Sequence, residues 1–350
     1  MTPRAPGRVL IIKPSALGDV VTALPVLRGL RRTFPEAHVS WLLSTSCAPL
    51  VAADPALDEV VPFDRRRLGR AWRSPAAARG LAGLLASLRR AEYDWVIDLQ
   101  GLFRSGFFAW ATRAPVRAGF ASAREGAGLF YTHRCRTTGP HTIDRNVELM
   151  RSLGVEARRQ DMTLTVPAAG RAAAEALRRR EGLTGEFVVL VAPTRWPTKH
   201  YPPRHWRRVA AELARSRPVA LLGTADDREL CEGIAAGADG VVDLAGRTDL
   251  PTMIGLIAGS SCVVCCDSAA QYIAQAVDVD VVTLIGPTRP ERTGPLLRGR
   301  AIAADVPCRG CLRRRCRHIT CMQTIAPEAV VATVEDLWVS RGPPCRSATS

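Results

Sequence analysis

Residues 8–32 read RVLIIKPSALGDVVTALPVLRGLRR: an apolar run, a short loop, and a stretch with apolar residues at helical spacing. A strand feeding a helix through a tight loop is the opening unit of a parallel α/β sheet. Such sheets bind ligands at the carboxyl ends of their strands, where this loop would lie. A phosphate-binding loop would carry several glycines and a Lys beside Ser or Thr. Here one glycine, Gly18, is followed by a carboxylate, Asp19. Free backbone N–H groups and the positive dipole end at a helix start stabilise that carboxylate, so the loop holds a negative charge of its own. Asp19 reads either as a plain helix cap or as a general base directed into a ligand cleft.

Outward from this unit, apolar runs of strand length alternate with helical patterns. The first half predicts strands at 8–13, 38–43, 58–61, 94–99 and 116–119, with helices at 18–33 and 75–91. The second predicts strands near 186–192, 218–223, 241–243, 261–266 and 280–285, with helices near 203–215, 225–236, 249–259 and 268–277. Alternation of this kind implies two parallel sheets with helices on both faces, joined near TVPAAGRAAAE (165–175), where Pro and Gly punctuate the chain. The expected division is 1–165, 166–326 and a terminal helix and tail, 327–350, packing back on the first domain. Loops 13–19 and 98–106 on one side, and 192–202, 223–229, 266–272 and 286–295 on the other, are expected to face one another across a cleft.

Composition narrows the function. The chain has 350 residues, 47% hydrophobic, enough for two cores. No run approaches the ~18 apolar residues of a spanning helix, and the run after MTPRAPGR is too short for a signal core, so a soluble cytoplasmic protein is expected. The net charge of +15 suits an anionic partner. Nucleic acid is the weakest choice, because aromatics are 5% and the arginines are dispersed without a recognition motif. Of 48 Lys plus Arg only Lys13 and Lys199 are lysines, both in motif-like loops, which marks them as sites where a compact ammonium is required.

Two further signals carry alternatives. Cys308, Cys311, Cys316 and Cys321, with His318 among them, are spaced C-x₂-C-x₄-C-x₄-C. That spacing fits a structural zinc site, reduced thiols, or a disulfide formed on oxidation, with no catalytic role in any case. Asp278-Val279-Asp280 matches the Asp-x-Asp string of metal-using glycosyltransferases, but falls between a helix and the strand after it and reads as a solvated turn.

The string from 8 to 42 resembles the amino-terminal signature of glycosyltransferase family nine, the ADP-heptose:lipopolysaccharide heptosyltransferases. YDWVIDLQGLFRSG (93–106), RWPTKHYP (195–202), LLGTADDRE (221–229), VVDLAGRTDLPTMIGLIAGSSCVVCCDS (241–268) and LIGPTRP (284–290) extend the likeness over most of the chain. HTIDRNVELMRSLG (141–154) and RRRLGRAW (65–72) resemble heptosyltransferase I, while the cysteine cluster resembles heptosyltransferase II-like members. The resemblance implies a GT-B fold of two Rossmann-like domains, acceptor on the first and nucleotide-sugar donor on the second. It also implies metal-free transfer of heptose from ADP-heptose with inversion, onto an anionic Kdo-lipid A type acceptor at the inner membrane face.

It further implies Asp19 as catalytic base and Lys199 on the donor diphosphate, with Thr194, Arg195, Asp227, Asp267, Ser268 and Ala269 around the donor. Lys13, Ser15, Gln100, Arg65, Arg66, Arg104 and Arg124 are the expected acceptor contacts. Where the family reads Asp-[Ser/Thr]-Gly-x-x-His, this chain reads DSAAQY (267–272), with Ala269 for glycine and Tyr272 for histidine. A Cβ at 269 opposes any left-handed backbone, and a tyrosine cannot become a cation. The alternatives are a family-nine transferase with another sugar or acceptor, and a non-catalytic cell-envelope binding protein.

Overall fold

The computed structural model describes residues 3–65, 69–70 and 72–341. The chain divides into two compact units at Thr165/Val166. In the first, strands β1 (Arg8–Ile12), β2 (His38–Ser44), β3 (Glu59–Phe63), β4 (Trp95–Asp98), β5 (Val116–Phe120) and β6 (His133–Cys135) alternate with helices α1 (Leu17–Val21), α2 (Leu24–Thr33), α3 (Pro75–Arg90), α4 (Phe103–Ala111) and α5 (Thr142–Ser152). All ladders are parallel, in the order β3-β2-β1-β4-β5-β6. Helices on both faces explain why the central strands are continuous apolar runs rather than alternating ones: Val9 to Ile12 are wholly buried.

The second unit repeats the plan. Its strands are β7 (Val188–Val191), β8 (Val219–Leu221), β9 (Val241–Asp243), β10 (Cys262–Cys266), β11 (Asp280–Ile285) and β12 (Arg300–Ala303), in the order β12-β11-β10-β7-β8-β9. Its helices are α6 (Ala168–Arg180), α7 (Pro203–Ala214), α8 (Arg228–Ala235), α9 (Leu250–Ala258), α10 (Ala269–Ala276), α11 (Pro290–Thr293), α12 (Thr320–Gln323) and α13 (Pro327–Arg341). Each sheet thus has the doubly wound order whose direction reverses beside its first strand, between β1 and β4 and between β7 and β10. The loops after those four strands are four of the six singled out from the sequence.

Three expectations change. The helix expected over 18–33 is two helices, because Pro25 has no N–H to donate to the carbonyl four residues back and so ends the first at Val21. Strands β6 and β12 add an edge to each sheet. The terminal helix, expected on the first unit, contributes Val330, Val334 and Leu337, one helical stripe, to the second unit's core with Trp206, Val209 and Leu213 of α7. The tail after 341 lies outside the described residues.

Candidate active site

In the first unit, Lys13 follows β1 and is buried. Its ammonium donates to the Leu99 carbonyl at 3.0 Å, tying the loop after β1 to the loop after β4, and lies 3.9 Å from Asp19 Oδ1. Asp19 Oδ2 accepts the Ala16 N–H at 3.0 Å. The carboxylate is therefore a helix cap through one oxygen, yet its side chain remains 45% exposed beside an ammonium. A planar guanidinium in place of Lys13 would need several acceptors where the structure supplies one carbonyl and one carboxylate.

Ser15, Arg65, Gln100 and Arg104 line one cavity of ≈ 240 Å³, with Phe63, Phe108 and Glu125. The Arg104 guanidinium rests over the Phe63 ring at 5.9 Å, and Phe63 meets Phe108 edge-on. Gln100 Oε1 is buried with no hydrogen-bond partner among the described residues, leaving an acceptor for a ligand hydroxyl. Neither Lys13 nor Asp19 is part of this lining. Arg124 is exposed and outside it, its backbone N–H donating to Gly101. Arg66 lies outside the described residues.

Beneath the cavity's floor is a residue absent from the sequence-derived site. Asp98 ends β4 and is completely buried. Its Oδ1 accepts the N–H groups of Gln100 and Gly101 at 2.8 and 3.2 Å, and its Oδ2 accepts the Tyr131 hydroxyl at 2.6 Å. Burial outweighs these hydrogen bonds and holds its carboxyl above the ordinary range. Gly119 makes room for the phenol: a Cβ there would fall 2.3 Å from the Tyr131 ring.

In the second unit, Lys199 and Asp267 meet at the β7/β10 reversal. The ammonium donates to Asp267 Oδ2 at 2.8 Å and to its backbone carbonyl at 3.2 Å. Thr288 and Thr293 hydroxyls donate to the same carboxylate oxygen at 2.6 and 3.0 Å, and Gln271 donates to the other at 2.8 Å. The carboxylate is thus enclosed by protein donors. Ser268 stands at the N-cap of α10 without a side-chain cap hydrogen bond, so the helix's first N–H groups are not satisfied by its hydroxyl. Ala269 begins α10 with helical backbone, so the position needs no glycine. Tyr272 is buried, and its hydroxyl donates to the Thr293 carbonyl at 2.9 Å.

The remaining donor-side residues divide. The Thr194 hydroxyl donates to the Trp196 carbonyl at 2.9 Å, and Arg195 is exposed. Asp227 accepts both the N–H and the hydroxyl of Thr224, closing a capping box at the start of its short helical turn. The Asp-x-Asp string is at the amino end of β11, the end opposite the ligand loops. It is not merely solvated: Arg298 bridges Asp278 and Asp280 at 2.6 and 2.9 Å.

Among the described residues no group of three or more His, Cys, Asp or Glu side chains is placed to hold a metal ion. Cys308, Cys311 and Cys316 are exposed and Cys321 is buried. Backbone N–H groups of His318 and Ile319 hold the Cys316 thiol below its usual pKa, whereas burial, then the three neighbouring thiols, push Cys321 up. His318 turns instead to the Thr320 hydroxyl, 2.7 Å away.

Two six-stranded parallel sheets, each with its polar constellation at the strand-order reversal, define the two-domain GT-B fold. The structure of E. coli ADP-heptose LPS heptosyltransferase II shares it, with a TM-score of 0.77 over 96% of this chain and 100% of that one at 22% identity. E. coli heptosyltransferase WaaC, solved with ADP-2-deoxy-2-fluoro heptose, matches with a TM-score of 0.75 and 26% identity over 94% of this chain and 99% of that one. Residues 82–321 match the model of glycosyltransferase family 9 (heptosyltransferase), and the chain belongs to that family. It is 32% identical to the lipopolysaccharide heptosyltransferase 1 of Pseudomonas aeruginosa over 89% of this chain and 88% of that protein.

Proposed function

We propose that this glycosyltransferase moves a heptose from ADP-heptose to a lipopolysaccharide inner-core acceptor of Kdo-lipid A type, with inversion and without a catalytic metal. The observation that carries the reading is the pairing of chemistries at the two reversals: a half-exposed carboxylate after β1 and an ammonium at the amino end of α10. The relatives named above support the donor and the acceptor class.

In this reading the acceptor hydroxyl attacks the anomeric carbon as its proton passes to Asp19. A positioned base of this kind contributes ~10²–10⁴-fold. The bond from that carbon to the diphosphate oxygen breaks, and ADP leaves with the electron pair. Lys199 and the first N–H groups of α10 meet the charge that develops there. Asp267 serves the donor indirectly, by holding Lys199, and Asp227 shapes the loop after β8. Arg65 and Arg104 meet acceptor carboxylates or phosphates, while Ser15 and Gln100 meet its hydroxyls. An acceptor embedded in a bilayer brings the protein to the cytoplasmic face of the inner membrane as a peripheral protein; among the described residues no helix is long and apolar enough to cross it.

The helical backbone at Ala269 weighs against a non-catalytic binder, because the substitution leaves the amino end of α10 intact. The test is a panel of nucleotide sugars and lipid acceptors, with the product identified by mass. ADP-heptose should add one heptose to the inner-core acceptor. Transfer from a different nucleotide sugar alone would replace the proposed donor.

A further inference from the structure

Lys199 does not by itself supply the positive charge that a diphosphate requires. Its ammonium is compensated by the Asp267 carboxylate at 2.8 Å, and both side chains are largely buried, so the pair is close to neutral as seen by a ligand. Yet Lys199 Nζ also lies 4.7 Å from the centroid of the Trp196 ring, and a second cation shares that ring: the Arg314 guanidinium, at 4.6 Å.

Arg314 belongs to the cysteine-rich segment, which is stitched into both donor loops. The Thr198 hydroxyl donates to the Arg313 carbonyl at 2.9 Å, fixing the segment to the turn that carries Lys199. The N–H groups of Gly310 and Leu312 donate to the carbonyls of Gly286 and Pro287 at 3.1 and 2.7 Å, fixing it to the loop that carries Thr288. Among the described residues no carboxylate pairs with Arg314, and its side chain is exposed. A charged group held by a ring and by its backbone neighbours, with its fork of N–H donors uncommitted to any acid, suits bidentate recognition of phosphate.

We infer that Arg314 is a donor-binding residue, supplying from the cysteine-rich segment the net positive charge on the diphosphate that the Lys199–Asp267 pair lacks. The inference rests on the proposed nucleotide-diphosphate donor. It also gives the segment a function that needs no metal: its turns carry Arg314 to Trp196.

Calorimetry on the full chain tests this with ADP and adenosine as probes, for wild type, Arg314→Gln, Arg313→Gln and Arg315→Gln. Arg314→Gln should weaken ADP by about tenfold and leave adenosine within about twofold, with the two neighbouring variants close to wild type for both probes. Retained adenosine binding shows that the pocket is folded. ADP affinity unchanged in Arg314→Gln, or equal losses in all three variants, would overturn the inference while leaving the donor reading intact. Failure of wild type to bind ADP at millimolar concentration would overturn both.

Discussion

Lys199 donates to Asp267 through both the carboxylate and the backbone carbonyl, and this pair is the fixed point around which the second unit's polar loops are arranged. Two threonines and a glutamine complete the carboxylate's shell, drawing loop 286–295 and the first turn of α10 to the same centre.

Asp267→Asn leaves a largely buried ammonium without its counter-charge and places amide hydrogens against donors. Stability should fall by about 3 kcal/mol, the usual cost of breaking such a pair from one side. Denaturant unfolding measures it. A loss within the range of a surface substitution would mean that the pair is solvated.

Lys199→Arg keeps the charge but replaces a point donor with a longer planar one. Transfer should drop in kcat by about tenfold or more, on the order of 1.4 kcal/mol in the barrier. Steady-state kinetics with saturating donor would show it. Unchanged kcat would remove Lys199 from the chemistry.

Asp19→Asn should abolish transfer while leaving ADP binding within a few-fold, since Asp19 and the donor loops lie in different units. The asparagine oxygen can still accept the Ala16 N–H, so the melting temperature should hardly move. Near-normal turnover in this variant would reduce Asp19 to a helix cap.

Asp98 makes stability depend on pH in an unusual direction for a carboxylate. Its native pKa is raised by burial, so the folded chain keeps the proton after the unfolded chain has lost it. The stabilisation is complete below the ordinary carboxylate pKa of ~3.9 and is lost as pH rises through the native value. Asp98→Asn, which retains an acceptor for Gln100 and Gly101 but does not titrate, should gain in melting temperature relative to wild type as pH rises from about 4 to about 7. A constant difference would show that Asp98 titrates normally.

Excess chelator should leave transfer unchanged, because the proposed chemistry assigns the departing charge to Lys199, Arg314 and α10. Loss of transfer restored by magnesium would overturn that assignment.

The central strands were legible because burial on both faces imposes uninterrupted apolar runs, as in RVLII and CVVCC. Edge strands carry no such demand: HRC and RAIA are short and partly exposed, and nothing in their pattern separates them from loops. The reversal loops were legible because position in an α/β sheet implies ligand position, and the two surviving lysines fell there. The partners of those lysines were not, since Leu99 is 86 residues from Lys13 and Asp267 is 68 from Lys199, and no period links them. Asp98 stood in plain view within YDWVIDLQG, but its burial depends on Tyr131 and on the space left by Gly119, which only folding brings together. For α13, the sequence reading assigned the helix to the first unit, and only the fold places Val330, Val334 and Leu337 in the second core.

That last helix bears on how such a chain can change over time. Because α13 closes the second core instead of the first, each unit draws its core from one continuous stretch of chain, and the polypeptide passes between them once, at Thr165/Val166. Substitutions in one stretch then alter the core of one unit and leave the residues that build the other's core unchanged.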